Sequence, residues 1–163
     1  MPRGITERVE DRTLQIRSLL ETHGCLTTTE INNALGLTHS QTFYVLEQLK
    51  NAGQAVEVVA GKLAIWCKDQ ETAKRLIEEF KSEVKRLLCI NRWMKYVTAQ
   101  KAANLIVSDK SARRLFAKYL YMTRRGAFLP VTLSFIDYIL HELLGEPIER
   151  GARGAVYFVQ GLC

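Results

Sequence analysis

The sequence predicts a mainly helical α+β protein with small β-hairpins, in which a long helix joins two domains. Apolar residues recur at helical spacing in several segments, whereas short β-rich runs surround glycine-containing turns. The composition is that of a globular chain, since 47% of the 163 residues are hydrophobic and 25% are charged. A chain of this length can form one medium core or two small ones.

The first predicted element is an amphipathic helix over residues 11–23. Ile16, Leu19 and Leu20 recur there at i, i+3 and i+4, which places them on one face, and a glycine ends the pattern. Residues 25–27 follow as a short extended stretch. The first helix is therefore expected to pack one face against a core.

Two further helices are predicted in the first half, separated by a tight turn. Thr28 or Thr29 offers a capping hydroxyl to a helix that ends at about Leu35. Thr38 or Ser40 offers a capping hydroxyl to a third helix. A glycine follows each of these two helices. Short helices with clear start and stop signals are therefore expected.

A β-hairpin is predicted after the third helix. The β-rich runs 55–59 and 62–66 lie on either side of Ala60-Gly61, a sequence typical of a turn between strands. The first half thus has the order helix, short strand, helix, tight turn, helix, hairpin.

This order over residues 9–68 resembles the winged helix-turn-helix superfamily. The most specific stretch is 28–53, where the core positions of that pattern are occupied by Leu35, Leu37, Thr42, Leu46 and Leu49. The resemblance implies that the third helix is the one such proteins place in the major groove. It also implies that the exposed face of this helix carries Thr38, His39, Gln41, Phe43 and Tyr44.

That face is unusual for an element that reads DNA, because the third helix has Lys50 as its one cation. Phosphate anchoring by this helix alone would be poor. The alternative is that Phe43 and Tyr44 pack against the other half of the chain or a second subunit. Many winged helices are protein-binding modules, so both interpretations stay open here.

A long helix is predicted between the halves, within residues 69–90. Its apolar stripe has heptad-like spacing and consists of Ala73, Ile77, Phe80, Val84 and Leu87. The stripe fits either a connecting helix packed on both halves or the seam of a homodimer, and the first domain offers a second dimer surface. We predict tandem winged helix-turn-helix domains joined by a long helix: the first domain at 9–68, a linker helix at 69–90 and a second, winged-helix-like basic domain at 91–160.

Charge separates the two halves of the chain. Residues 1–70 carry seven Lys/Arg and eight Asp/Glu, whereas 71–163 carry sixteen and nine. Residues 85–125 alone hold eleven cations against the single acid Asp109. Such a concentration is the expected mark of a surface that contacts a nucleic-acid backbone.

The basic region also repeats the helix-turn-helix pattern. A shift of 70 residues brings the apolar positions of 28–49 over those of 98–119. We therefore predict helices at 99–106 and 109–122. The basic face of the second of these helices comprises Lys110, Arg113, Arg114, Lys118 and Tyr121.

The end of the chain predicts another helix, at 133–144, and another hairpin with Arg150 and Arg153 at its tip. If a wing must directly follow its recognition helix, the helix at 133–144 would be the DNA reader. It contains no cation, so the charge favours 109–125 as the DNA-facing element. The two arginines of the tip would reach neighbouring phosphates.

These observations predict a DNA-binding protein, either a transcriptional regulator or a chromatin-associated factor, that contacts duplex DNA mainly through its second domain. The candidate contacts are Lys110, Arg113, Arg114, Lys118, Tyr121, Arg124, Arg125, Arg150, Arg153, Thr38, His39, Gln41 and Tyr44. The alternatives are a scaffold of a replication, transcription or chromosome-organising complex, and an RNA-binding protein. The sequence contains no aromatic-rich sheet motif of the kind that would favour RNA binding.

Nothing in the sequence indicates catalysis, a cofactor, a metal or a small-molecule ligand. His23, His39 and His141 are isolated, and neither a Gly-x-Ser-x-Gly motif nor a glycine-rich phosphate loop is found. No stretch reaches the roughly 18 apolar residues that span a bilayer. We therefore expect a soluble intracellular protein, cytoplasmic or nucleoid-associated, with no membrane partner.

The four cysteines lie far apart and contain no Cys-x-x-Cys pair. In a winged fold, Cys25 and Cys67 end neighbouring strands and could approach disulfide distance. A cytosolic chain normally keeps such a pair reduced, so free thiols are expected at these two positions.

Overall fold

The structure, a computed structural model, describes residues 2–152 and 154–163, with side chains from residue 8 onward. This part of the chain forms an α+β fold of seven α-helices and two small antiparallel sheets, which agrees with the predicted class. The elements are α1 (Pro2–His23), β1 (Cys25–Thr27), α2 (Thr28–Leu35), α3 (His39–Asn51), β2 (Val56–Ala60), β3 (Leu63–Cys67), α4 (Gln70–Ile90), β4 (Tyr96–Val97), α5 (Ala99–Ser108), α6 (Lys110–Phe116), a 3-10 turn (Ala117–Tyr119), α7 (Pro130–Leu144), β5 (Glu149–Gly151) and β6 (Gly154–Phe158).

The chain divides into two compact units. The first comprises Met1–Val59 and Ala64–Leu76, and the second comprises Ala60–Leu63 and Ile77–Cys163. Helix α4, the predicted linker, is therefore divided between the units. Each unit contains one three-stranded sheet, with the strand order β1-β3-β2 in the first and β4-β6-β5 in the second.

Threonine hydroxyls begin both short helices of the first unit. The Thr27 hydroxyl accepts the Glu30 N–H at 3.2 Å, and the Glu30 carboxylate accepts the Thr27 N–H at 3.0 Å, which forms a capping box. The cap thus precedes both predicted positions, Thr28 and Thr29, and the Thr28 hydroxyl instead accepts the indole N–H of buried Trp66 at 3.0 Å. Of the two caps predicted for α3, the structure has Thr38 and not Ser40.

Side chains from three helices and the sheet form the core of the first unit. Its buried members are Ile16, Leu20, Leu26, Ile31, Val45, Leu46, Leu49, Ala55 and Trp66. Leu35 and Leu37, predicted as core positions, are partly buried against this cluster. Each fully buried leucine or isoleucine contributes about 2 kcal/mol of transfer free energy, so this unit has a substantial core of its own.

Aromatic rings form the centre of the second unit. The ring centroid of Phe80 on α4 lies 4.8 Å from that of Phe116, 5.2 Å from that of Tyr119 and 5.2 Å from that of Phe135. All four side chains are buried. Because Phe80 belongs to the heptad-like stripe of α4 and is covered by its own chain, it is not available as part of a dimer seam.

The predicted helix over 109–122 is wrong at its C-terminal end. Helix α6 ends at Phe116 and continues as a 3-10 turn, after which Met122 pairs with Phe128 in an isolated β-bridge. The hydroxyl of Thr132, on α7, accepts the Tyr121 N–H at 2.6 Å. The Tyr121 N–H thus has a tertiary partner and does not need the hydrogen bond of another helical turn. Helical spacing in the sequence does not reveal such a partner.

The structure contains two disulfides, and the first replaces the free thiols that were expected of Cys25 and Cys67. Cys25 and Cys67 occupy directly opposed positions on β1 and β3, with Cα atoms 4.0 Å apart, and are bonded. Cys89 near the end of α4 is bonded to Cys163, a pairing that the sequence did not suggest. One bond lies in each compact unit.

The disulfides are expected to stabilise the protein strongly, because their partners are 42 and 74 residues apart in sequence. Restricting the unfolded chain by loops of this length is worth about 4 kcal/mol per bond in the chain-entropy model. We predict that reductant lowers the denaturant midpoint of the wild type. The C25A/C67A variant, which retains one bond, will respond less to reductant. Four reactive thiols in protein purified without reductant would contradict this expectation.

Two buried threonines are expected to respond oppositely to substitution by valine. Among the described residues, the hydroxyl of Thr42 has no hydrogen-bond partner, whereas the hydroxyl of Thr132 holds the Tyr121 N–H and contacts the Tyr119 carbonyl at 3.0 Å. Thr42→Val should therefore raise the free energy of unfolding by up to about 1 kcal/mol, and Thr132→Val should lower it by about 1–3 kcal/mol. Urea unfolding of the two variants measures both effects, and a loss of stability in Thr42→Val would contradict the assignment.

Candidate nucleic-acid interface

Helix α6 begins at a carboxylate that is also bonded to α4. Asp109 accepts the Ala112 N–H at 3.0 Å as the N-cap and accepts the Arg86 guanidinium at 2.7 Å. The guanidinium and then the backbone bond hold the pKa of Asp109 below its usual range. Arg86 also donates to Glu83 at 2.6 Å. The Arg86 guanidinium is thus bonded to two carboxylates. Arg86 therefore stabilises the start of α6 and is not part of its outer face.

The outer face of α6 is basic and its inner face is apolar. Lys110, Arg113 and Arg114 are exposed, whereas Ala112 and Phe116 are fully buried. No acidic residue lies within the helix. The three cations predicted for this helix therefore share one solvent-facing side, as helical spacing requires.

An open depression of about 700 Å³ lies beside this face. It is lined by Lys110, Ser111, Arg114 and Leu115. Charge analysis of the sequence identified the two cations but not Ser111 or Leu115, because those residues carry no charge. Both residues directly adjoin a cation in the helix, and this adjacency is the sequence signal from which they could have been predicted. The depression offers two cations, Lys110 and Arg114, to an anionic ligand.

The predicted basic face does not continue regularly beyond Phe116. Lys118 lies in the 3-10 turn and is exposed, with its ammonium 5.6 Å from the centre of the Tyr119 ring. Tyr121 lies in the extended segment and is partly buried. Because the α-helix has already ended, Tyr121 does not share the helical face predicted for it.

Two further candidate cations lie at the tip of a tight turn. In the segment 123–127, the Thr123 N–H donates to the Ala127 carbonyl at 2.8 Å, and the Ala127 N–H donates to the Thr123 hydroxyl at 3.1 Å. Arg124 and Arg125 lie between these residues and are exposed. The turn therefore presents a pair of guanidinium groups on a hydrogen-bonded backbone.

The candidates in the C-terminal hairpin divide between described and undescribed residues. Arg150 lies on β5 opposite Ala155 of β6 and is exposed. Arg153 lies outside the residues that the structure describes. Of the two predicted tip arginines, the structure thus assigns a position only to Arg150.

Helix α7 directly precedes this hairpin, yet it is a poor candidate for contact with phosphates. It contains no lysine or arginine, and Phe135, Ile136 and Ile139 are fully buried. The carboxylate of Asp137 accepts the Tyr157 hydroxyl at 2.8 Å. Burial first, and then this bond, raise the pKa of Tyr157.

The candidates on α3 have mixed roles. The Thr38 hydroxyl accepts the Gln41 N–H at 3.2 Å, and the Gln41 side-chain oxygen accepts the Thr38 N–H at 3.0 Å. These two residues form a capping box, so their side chains stabilise the helix end. His39 stacks on Phe43 with ring centroids 6.0 Å apart, and Tyr44 is exposed.

The single cation of α3 is held by acidic neighbours. The ammonium of Lys50 lies 3.1 Å from Glu57 and 3.6 Å from Glu47. The hydrogen bond that the Lys50 ammonium donates to Glu57 is the largest cause of the raised pKa of Lys50. Within the described part of the chain, α3 thus combines exposed aromatic rings with a cation that is already paired.

Among the described residues, no helix has the length and apolar character needed to cross a membrane. In the same part of the chain, no group of three or more His, Cys, Asp or Glu residues has the arrangement of a metal site.

Comparison with known proteins identifies a similar solved structure and a family. The hypothetical protein PyrSV_gp04 of Pyrobaculum spherical virus has a similar crystal structure, with a TM-score of 0.75 and 28% sequence identity over 93% of this chain and 95% of that chain. No curated protein matches the sequence. The family model described as PSV, transcriptional regulator domain, matches residues 73–158. Because this match spans more than half of the chain, the protein belongs to the family of PSV transcriptional regulator domains.

Proposed function

We propose that the protein is a transcriptional regulator that binds duplex DNA mainly through its second unit. The name of its family supports the regulatory role. The observation that carries the DNA contact is the outer face of α6, where Lys110, Arg113 and Arg114 are exposed without an acidic neighbour in the helix. Clustered cations displace condensed counterions from DNA, and this displacement drives binding.

The proposed contact region, here called the basic surface, extends beyond the helix. It consists of Lys110, Arg113, Arg114, Lys118, Arg124 and Arg125. These residues lie on α6, on the 3-10 turn and at the tip of the 123–127 turn. Side chains on three short, separately anchored segments can contact several phosphates of one duplex, which sets orientation more than sequence choice.

Both units are proposed to be winged helix-turn-helix domains. Each contains a helix, a short strand, a second helix, a later helix and an antiparallel hairpin, in that order. The hairpin's second strand also pairs with the short strand in both units. In this arrangement α5 and α7 correspond to α2 and α3, and α6 is an additional helix between them.

In the second unit, chain order and charge assign the DNA contact to different helices. By chain order, α7 is the counterpart of a recognition helix, but it has no cation and much of its surface is buried. The extra helix α6 has the cations that α7 lacks. We therefore assign phosphate contact to α6 and the adjoining turn, and no groove insertion to α7.

A second candidate function, protein contact, is favoured for α3 by one observation. Phe43 and Tyr44 are 42% and 56% exposed on a helix whose one cation, Lys50, is paired. Exposed aromatic side chains without available charge are typical of protein interfaces rather than of phosphate contacts. The first unit would then recruit a partner while the second holds DNA.

The charge-removal test compares two triple variants. We predict that K110A/R113A/R114A weakens duplex binding and makes the slope of log K against log salt less steep by about 3, one for each lost phosphate contact. The matched control removes equal charge from exposed positions of the first unit, in R8A/R17A/K74A. Fluorescence anisotropy with a labelled duplex at several salt concentrations measures both slopes.

The same assay decides between the units. His39→Ala and Tyr44→Ala should leave duplex affinity within about twofold of wild type, since neither residue supplies a fixed cation to phosphates. Thr38 and Gln41 are left intact because they cap α3. A larger loss in these single variants than in the triple variant would transfer the DNA contact to the first unit.

A further inference from the structure

A second exposed surface of the second unit is aromatic. Tyr96 on β4 and Phe158 on β6 are opposed in the strand register, and their ring centroids are 5.8 Å apart. The two residues are 49% and 42% exposed. Residues opposed across an antiparallel pair point to the same side of the sheet. The sequence shows no aromatic sheet motif because these residues become neighbours only through the pairing of distant strands.

A third exposed ring lies close to this pair. Trp93 is 72% exposed and precedes Tyr96 by three residues, so the Cα atoms of the two residues lie no more than about 11 Å apart. The ammonium of Lys101, in the first turn of α5, lies 5.8 Å from the centre of the Trp93 ring. This cation–π contact stabilises the position of the Trp93 ring, which remains exposed to solvent.

The charge around these rings is mostly positive. Residues 89–108 contain Arg92, Lys95 and Lys101, all exposed, and no acidic residue. One acid, Glu149, lies on the neighbouring strand β5 opposite Val156. The local excess of cations favours a polyanion over an acidic or apolar protein surface.

We propose that this aromatic face, defined as Trp93, Tyr96 and Phe158, binds the unpaired bases of a single-stranded nucleic acid. Bases stack on exposed aromatic rings with little sequence preference, while lysine and arginine contact the connecting phosphates. Both components are exposed in this part of the unit: the three rings, and the three cations of residues 89–108, of which Lys101 contacts the Trp93 ring. It shares no residue with the basic surface, so the proposal extends the function beyond duplex contact and does not depend on it.

The two tryptophans make binding directly observable. Trp66 is fully buried and Trp93 is largely exposed, so a base stacked on the aromatic face should quench mainly the Trp93 emission. We predict saturable quenching by twelve-nucleotide oligo-dT or oligo-rU at low salt. The DNA and RNA arms identify which single strand is preferred. Trp93→Phe should abolish the fluorescence change while a labelled oligonucleotide still binds.

Substitutions then test stacking itself. Y96A/F158A should weaken oligonucleotide binding by about tenfold or more, whereas Tyr96→Phe, which retains the ring, should bind like wild type. Tyr44→Ala, at an exposed ring of the first unit, is the matched control and should have no effect. The double variant should keep its duplex affinity and its circular dichroism spectrum. Failure of duplex binding in the wild type would overturn the proposed function but not this inference.

Four results would overturn the inference. These are absence of quenching at low salt, equal weakening by Tyr44→Ala, equal weakening by Tyr96→Phe and Tyr96→Ala, and self-association that disappears in Y96A/F158A without any oligonucleotide binding. The last result would identify the face as a protein contact, which light scattering detects. If the double variant fails to fold, the comparison of Tyr96→Phe with Trp93→Phe still decides whether oligonucleotides occupy this face.

Discussion

The packing of Phe80 against Phe116, Tyr119 and Phe135 is the interaction on which the second unit most depends. These contacts join α4, α6, the 3-10 turn and α7 around one ring. With Phe116 buried and Asp109 held by Arg86, α6 has little freedom to rotate, and its cations must face solvent. The basic surface thus follows from an apolar anchor on the opposite side of a short helix. Seven residues alone would be too short to hold a helix in water, so the tertiary packing is what maintains it.

The two units use the same order of elements for different surfaces. In the first, α3 exposes Phe43 and Tyr44, its cation is paired, and its N-terminal end is stabilised by a capping box. In the second, the helix in the corresponding place is mostly buried, and the cations lie on an additional helix and turn. A disulfide fastens the sheet of the first unit, and another fastens the C-terminus of the second to α4. This division agrees with the proposed function, in which the first unit would contact a partner protein and the second would hold DNA.

Local signals in the sequence predicted the elements they directly encode. The hairpin after α3, the threonine cap of α3 and the glycine at the end of α2 depend on adjacent residues, and their positions agree with the structure to within a residue or two. The features that were missed depend on distant partners. The hydroxyl of Thr132 determines where the chain leaves α6, and strand register brings Tyr96 beside Phe158. The same limit hid the bond between Cys89 and Cys163 and the residues lining the depression beside α6.

The central claim is that duplex DNA contacts the basic surface of the second unit. The most direct test is a two-dimensional amide NMR titration of the 18.6 kDa protein with a short duplex. We expect the amide shifts to change most at residues 110–118 and 123–127, with little change on α3. Shifts concentrated on residues 39–48 of α3, or on α7, would contradict it.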